Sequence, residues 1–347
     1  MSNIRGSLTV VGLLILAACN PVTDPEEVPA GPDTALIALT DMGTRTYLSS
    51  NGGLYPDRSN VLPAAHAQRG VAQARLIEPL DVTGRPSAAG KYVLLSIGMS
   101  NTTQEFCAQA GTNCDPGTFA GLAAADPSVN RSTLAIVNGA RGGQVAEAWD
   151  SPGEDNYRRI RDEILTPAGL SEAQVQIVWL KVARSNPRLS LPDAGADAYV
   201  LHQLMGSIAR ALKVRYPNLR QIFASSRTYA GFATTALNPE PYAYESGFAV
   251  KWLIESQIRQ LDTGTTDARA GNLALAVAPW IAWGAYLWAG DAAHARSDGF
   301  FYVQQDFAQD GTHPSQSGRR KVGQLLLDFF KTSPHTSCWF LAGRTCT

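Results

Sequence analysis

Three short stretches, far apart in a chain of 347 residues, carry the residue types of nucleophilic acyl chemistry. Gly98-Met99-Ser100-Asn101 directly follows the apolar run 92–97 (YVLLSI). A serine just past a buried strand stands at a strand-to-helix corner. Its hydroxyl faces a crevice, beside the free N–H groups and positive potential of a helix start. Such donors favour an oxyanion developing on an attacked carbonyl. A second stretch, Asn138-Gly139-Ala140-Arg141-Gly142-Gly143-Gln144, follows the run 134–137 (LAIV). Its glycines permit close backbone approach to a ligand, and an N–H here is a candidate second oxyanion donor. The third is Asp310-Gly311-Thr312-His313-Pro314. A carboxylate three residues before a histidine can fix the imidazole tautomer, and the imidazole can then take a serine proton as general base.

The elements that must position these groups are legible as alternating patterns. Buried-strand runs are expected at 92–97, 134–137, 175–180 (VQIVWL), 221–224 (QIFA) and 273–277 (LALAV). Apolar residues at helical spacing predict helices over 197–216, 249–261 and 318–331, with Asp197 capping the first of them. Strands alternating with helices imply a parallel sheet covered on both faces. Such sheets place their sites beyond the carboxyl ends of the strands.

In this order, the three stretches resemble the SGNH hydrolase superfamily, also called the GDSL family. The resemblance runs over about 35–330. It implies a single flavodoxin-like three-layer α/β/α domain with a mostly parallel five-stranded sheet. It implies a serine esterase without cofactor, with Ser100 as nucleophile, His313 as base and Asp310 as its orienter. Gly143 would lend its N–H to the oxyanion hole. One block departs from the family. The G-x-N-D expected after the third strand is Trp179-Leu180-Lys181-Val182-Ala183-Arg184, with no Asn in place. Asn101, Gln144 and Lys181 are the candidates for the missing donor, Lys181 because a cation at a strand terminus would face the crevice. Gly98-Met99-Ser100-Asn101 is closer to the G-Q-S-N of sialate O-acetylesterase relatives, which points to acetyl groups on polysaccharides, with short-chain lipid esters second. Arg227 and Tyr229, in the long segment 225–245 after the fourth strand, are candidate substrate-binding residues. Trp280, Trp283, Tyr286 and Trp288 are expected after the fifth strand, where aromatics stack on sugars or cover the sheet edge.

The first residues read as an address. Arg5 precedes an apolar run from Leu8 to Ala18, too short to span a bilayer comfortably, and Leu16-Ala17-Ala18-Cys19 resembles a bacterial lipobox. The expected organisation is therefore a lipoprotein signal peptide at 1–18, a Pro- and acid-rich tether at 19–34 and the hydrolase-like domain at 35–347. Lipidated Cys19 would hold the protein in the periplasm or at the cell surface, with the outer membrane preferred. Four other cysteines remain, Cys107, Cys114, Cys338 and Cys346. They allow three connectivities, and the pairing of nearest neighbours in sequence is preferred. No His or Cys spacing suits a metal.

Composition sets the limits. With 45% hydrophobic and 17% charged residues, the chain has ample material for a core. A net charge of −1, from 29 basic and 30 acidic residues, argues against a nucleic-acid binder. The loop after the second strand lacks GK[ST], which argues against nucleotide binding on a flavodoxin-like fold. Two alternatives stay open: a non-catalytic ligand-binding lipoprotein of the same fold, motivated by the absent Asn, and an O-acyltransferase in which a sugar hydroxyl replaces water.

Overall fold

The computed structural model describes residues 1–2 and 35–346, and everything below belongs to the unit spanning Pro32–Thr347. Apart from Met1 and Ser2, the signal segment, Cys19 and the tether lie outside the described residues. A small antiparallel hairpin, β1 (Thr46–Tyr47) and β2 (Ser50–Asn51), comes first. There follow α1 (Ala64–Ala74), β3 (Tyr92–Gly98), α2 (Ser100–Phe106), α3 (Phe119–Ala125), β4 (Leu134–Asn138) and α4 (Asp155–Arg159). The second half holds β5 (Val175–Lys181), α5 (Asp197–Arg215), β6 (Gln221–Ala224), α6 (Tyr242–Thr263), β7 (Trp280–Trp283), α7 (Gln316–Thr332) and α8 (Ser337–Phe340).

The main sheet has five parallel strands in the order β4-β3-β5-β6-β7. This is the flavodoxin-like order, in which connections leave the first strand of the sheet to opposite sides. Both faces of the sheet are covered, and side-chain alternation divides each strand between two cores. From β3, Val93, Leu95 and Ile97 enter the core shared with α5 and α6, together with Val178, Leu180 and Ile222. Tyr92 and Leu94 enter the other core, with Ile177, Trp179 and Phe223, against α2, α3 and α7. Double burial explains why the strands read as unbroken apolar runs. The two disulfides close as preferred, Cys107 with Cys114 and Cys338 with Cys346.

Two expectations need correction. The run 273–277 is irregular chain and turn, and β6 pairs instead with Trp280–Trp283. Two of the five residues of the earlier run are alanine, which has weak strand preference. Trp-Ile-Ala-Trp fills both cores at once, Trp280 and Ala282 on one side and Ile281 and Trp283 on the other. Asp197 does not cap α5, whose cap position is Ala196. Its carboxylate accepts from the N–H groups of Arg188 (2.8 Å) and Leu189 (2.9 Å) and pairs with Arg184, so it pins the loop after β5.

Gly98 ends β3 at φ +154°, and a Cβ there would stand 2.0 Å from the Lys181 carbonyl oxygen. That backbone belongs to the neighbouring strand and cannot move without breaking the ladder. Gly98→Ala is expected to cost about 3 kcal/mol or more in unfolding free energy, read by denaturant titration.

Glu245, in the first turn of α6, is buried and accepts from the Tyr47 hydroxyl (3.0 Å) and the Leu191 N–H (3.0 Å). It thereby ties the hairpin and the loop after β5 to one helix. Burial, with some repulsion from Glu240 and Asp197, pushes its carboxyl up to about 7 despite those hydrogen bonds. A carboxyl raised on folding holds its proton longer in the native state, so stability falls as pH rises from the ordinary glutamate range to about 7. Glu245→Gln removes that titration. The variant should gain on the parent by about 2 kcal/mol between pH 5 and pH 8, measured by urea unfolding at each pH. A difference that stays flat with pH would refute this.

Candidate active site

The two ends of the acyl chemistry meet although 213 residues separate them. Ser100 is the first residue of α2, directly past the turn that Gly98 makes possible. Its Oγ lies 2.8 Å from Nε2 of His313, and Nδ1 of the same ring lies 2.5 Å from Oδ2 of Asp310. The other carboxylate oxygen, Oδ1, accepts from the backbone N–H groups of Thr312 (2.9 Å) and His313 (3.0 Å). Partial burial works to raise the Asp310 carboxyl. The bonds from the His313 ring and backbone and from Thr312 outweigh it, holding the carboxyl below its usual range. An anionic Asp310 on Nδ1 requires the proton there and leaves Nε2 free to accept from Ser100.

The loop after β4 runs alongside. Arg141 N–H donates to the Gly98 carbonyl (3.1 Å), and a Cβ on Gly142 would lie 3.8 Å from that of Ser100. Gly143 sits at φ +77° with open space where a Cβ would go, so backbone conformation, rather than crowding, calls for glycine. Asn138 anchors the loop: its Oδ1 accepts from Ser96 Oγ (2.5 Å) and from the Ala140 N–H (3.2 Å), and its Nδ2 donates to the Gln109 carbonyl (2.7 Å). A cavity of about 250 Å³ opens between these parts, and Ser100, His313, Gly143, Asn101 and Arg227 all line it.

The three candidates for the missing third donor differ in their surroundings. Asn101 is buried, its Nδ2 donating to the Thr312 carbonyl (2.9 Å) and its Oδ1 accepting from Arg227 Nη1 (2.8 Å). These bonds tie α2 to the His313 loop. Gln144 Oε1 accepts from Asn156 Nδ2 at 2.7 Å. Lys181 does not line the cavity. Strand alternation turns it toward α2, where its fully buried ammonium pairs with Glu105. Burial pulls its pKa down, and the Arg227 charge adds to this, against the attraction of Glu105. Tyr229 is likewise absent from the cavity lining and packs against Phe232 and Trp288, with ring centroids 5.3 and 6.0 Å away.

Among the lining residues that escaped the sequence reading are Asn238 and Arg184. Asn238 is buried, and its Nδ2 donates to the Arg184 carbonyl (3.2 Å). Arg184 in turn binds Glu147 (2.8 Å) and Asp197. Asn238 lies deep in a long irregular segment, where neither periodicity nor motif distinguishes it. Among the described residues, no group of three or more His, Cys, Asp or Glu side chains is placed to hold a metal ion.

No family model matches this sequence, and no curated protein matches it. Solved structures do. A protein of Parabacteroides merdae described as a GDSL-like lipase is 13% identical, over 73% of this chain and 97% of its own, with a TM-score of 0.37. An acetyl-xylooligosaccharide esterase from Geobacillus is 11% identical, over 69% and 92%, with a TM-score of 0.36. An extracellular lipase of Streptomyces rimosus is 12% identical, over 69% and 99%, with a TM-score of 0.32.

Proposed function

We propose that this protein is a serine esterase that hydrolyses carboxylic esters through an acyl-enzyme. One observation carries the reading: the unbroken line from Ser100 Oγ through the His313 ring to the Asp310 carboxylate, at 2.8 and 2.5 Å, beside an open cavity. Ser100 Oγ forms a bond to the ester carbonyl carbon while its proton passes to His313 Nε2. The N–H groups of Ser100 and Gly143 receive the oxyanion. Collapse breaks the bond to the alcohol oxygen, which leaves with the proton from His313. Water then attacks the acyl-Ser100 carbonyl and gives a proton to His313. The bond to Oγ breaks, Oγ regains the proton, and the acid departs. Asp310 keeps the Nδ1 proton in place throughout and stabilises the imidazolium.

The parent should release 4-nitrophenol from its acetate ester. Ser100→Ala and His313→Ala should each lower kcat by at least ~10³-fold, and the double variant should be little worse than either, because such residues act as a unit. Ester turnover that survives in both single variants would overturn the reading. Parent protein without turnover on any ester would return the non-catalytic binding alternative.

The chain is further read as exported and anchored by lipid on Cys19, in the periplasm or at the cell surface. Two closed disulfides suit an oxidising compartment. Radiolabelled palmitate fed to expressing bacteria should be incorporated into the parent and not into Cys19→Ala. Equal labelling of both would remove Cys19 as the anchor.

A further inference from the structure

The helix that opens with Ser100 ends at Phe106, and the next residue, Cys107, is bonded to Cys114. Cys107 is buried, and its carbonyl accepts from the Asp115 N–H (3.1 Å), so a covalent bond and a hydrogen bond shut the loop at its neck. Inside it the Ala108 N–H donates back to the Thr103 carbonyl of α2 (2.8 Å). Ala108 sits at φ +73°, a conformation that a residue with a Cβ keeps only where its surroundings impose it. The far side of the loop lies on β4. That strand is at the edge of the sheet, so the outward backbone groups of its last residue have no strand to pair with. The loop supplies the pairing. Asn138 N–H donates to the Gly111 carbonyl (2.7 Å), and Gly111 N–H donates to the Asn138 carbonyl (3.0 Å). The Asn138 side chain adds its bond to the Gln109 carbonyl (2.7 Å) and a longer one to Thr103 Oγ1 (3.4 Å).

The two segments that would carry the oxyanion donors are thereby joined. Ser100 opens α2, and the closed loop leaves the other end of that helix. Asn138 ends β4, and the chain runs from it directly to Gly143. Ser96 holds Asn138 from the sheet side and the loop holds it from outside, while its Oδ1 fixes the Ala140 N–H. The second disulfide offers a comparison within the molecule. Its loop is of nearly equal size, a sequence separation of 8 against 7. It lies at the other end of the sheet, since Trp339, next to Cys338, accepts through its carbonyl from the hydroxyl of Tyr92, the first residue of β3. Loops of such similar length restrain the unfolded chain about equally. Only the first of them adjoins the strand ends where Ser100 stands.

We propose that the loop closed by Cys107 and Cys114 is a positioning element of the oxyanion hole: by gripping Asn138 it fixes the 139–143 loop against α2, and with it the spacing of the Ser100 and Gly143 N–H groups. This rests on the reading of Ser100 as nucleophile and adds to it residues that never touch substrate. Formation and breakdown of the acyl-enzyme both pass through an oxyanion, so a misplaced donor slows both half-reactions. The loss therefore falls on kcat and leaves KM little changed.

The test uses 4-nitrophenyl acetate and an alkyl trifluoromethyl ketone, whose carbonyl takes up Ser100 Oγ and leaves an oxyanion in the hole. The double variant Cys107→Ser, Cys114→Ser should lower kcat at least ~10-fold with KM within about threefold of the parent, because small displacements of a positioned group are costly. Its Ki for the ketone should rise by about the factor lost in kcat/KM, as for any analogue of the transition state. The double variant Cys338→Ser, Cys346→Ser should keep kcat within about twofold of the parent, since it alters the unfolded chain and not the site. Both are assayed well below the midpoints of their own melting curves. Asn138→Asp keeps an acceptor for Ser96 and Ala140 but sets an oxygen against the Gln109 carbonyl. It should lose kcat in the same manner, and little more when combined with the Cys107 and Cys114 substitutions, because both cut one tie. If the first double variant does not fold, Asn138→Asp decides alone. Parental kcat in either folded variant, equal losses from the two disulfides, or a loss of kcat without weaker ketone binding would overturn the proposal while leaving the esterase reading intact. Absence of any turnover that depends on Ser100, together with failure of a fluorophosphonate to label it in the parent, would remove the esterase reading and this proposal with it.

Discussion

All seven residues of β3 are buried, with a core on each face and a paired strand on each edge. Within such a strand the backbone polar groups are spent on the ladder and the side chains on packing or, for Ser96, on a bond to the neighbouring strand, so no reacting group fits there. Chemistry is confined to the point where the pairing stops. The register fixes that point for three strands together: Ser96 lies opposite Asn138 on β4, and Gly98 lies opposite Lys181 on β5. The chains that leave β3, β4 and β5 therefore emerge at one level. Since the connections diverge on either side of β3, a crevice opens there. Ser100, the 139–143 loop and the residues after Lys181 are neighbours for this reason.

Behind the crevice lies a polar layer of a different kind. Glu105, Lys181 and Arg227 are all buried, and Asn101 joins this layer to Thr312, one residue before His313. A buried ion pair is weak evidence for stability, because desolvation consumes much of the attraction. Its effect on arrangement is clearer. Removing one member strands a buried charge at a cost of about 3–5 kcal/mol, so the members keep one geometry. Through Asn101 that geometry reaches a loop 211 residues further along the chain. The distance between Ser100 and His313 is therefore set from below, through Asn101 and Arg227 and the Lys181–Glu105 pair behind them, as much as by the loop itself.

The sequence was most legible where a single local rule operates. Doubly buried strands show as apolar runs, and four of the five strands stand where those runs are. The spacing of Asp310 and His313 already implied their contact, since three residues bring a carboxylate to its imidazole within one turn of chain. Local patterns fail where a residue's fate is decided by something distant. Lys181 looked free at a strand end, but the parity of β5 turned it toward Glu105 on α2. Asp197 has the chemistry of a helix cap, but Arg184 and the amides of Arg188 and Leu189 offered it more bonds. Tyr229 sits two residues from Arg227 and faces another core. Asn238 belongs to the site only because Glu240 folds a long segment back over Arg184.

The same distinction bears on the donor that the third block lacks. The side chains the sequence offered in its place have these partners: the Asn101 amide holds Thr312, Gln144 accepts from Asn156, and Lys181 pairs with Glu105. Lys181 is held behind the crevice by Glu105 and Gln144 does not line the cavity, whereas Asn101 does line it and has one of its two amide hydrogens on Thr312. In an esterase of this kind the backbone N–H groups of Ser100 and Gly143 would carry the developing charge, helped at a distance by the Arg227 cation. One missing side-chain donor costs about 10²–10³ in rate, a loss of speed that leaves the course of the reaction unchanged. Part of that loss can be recovered by positioning, because binding energy from the non-reacting part of a substrate lowers the barrier when it fixes the reacting atoms.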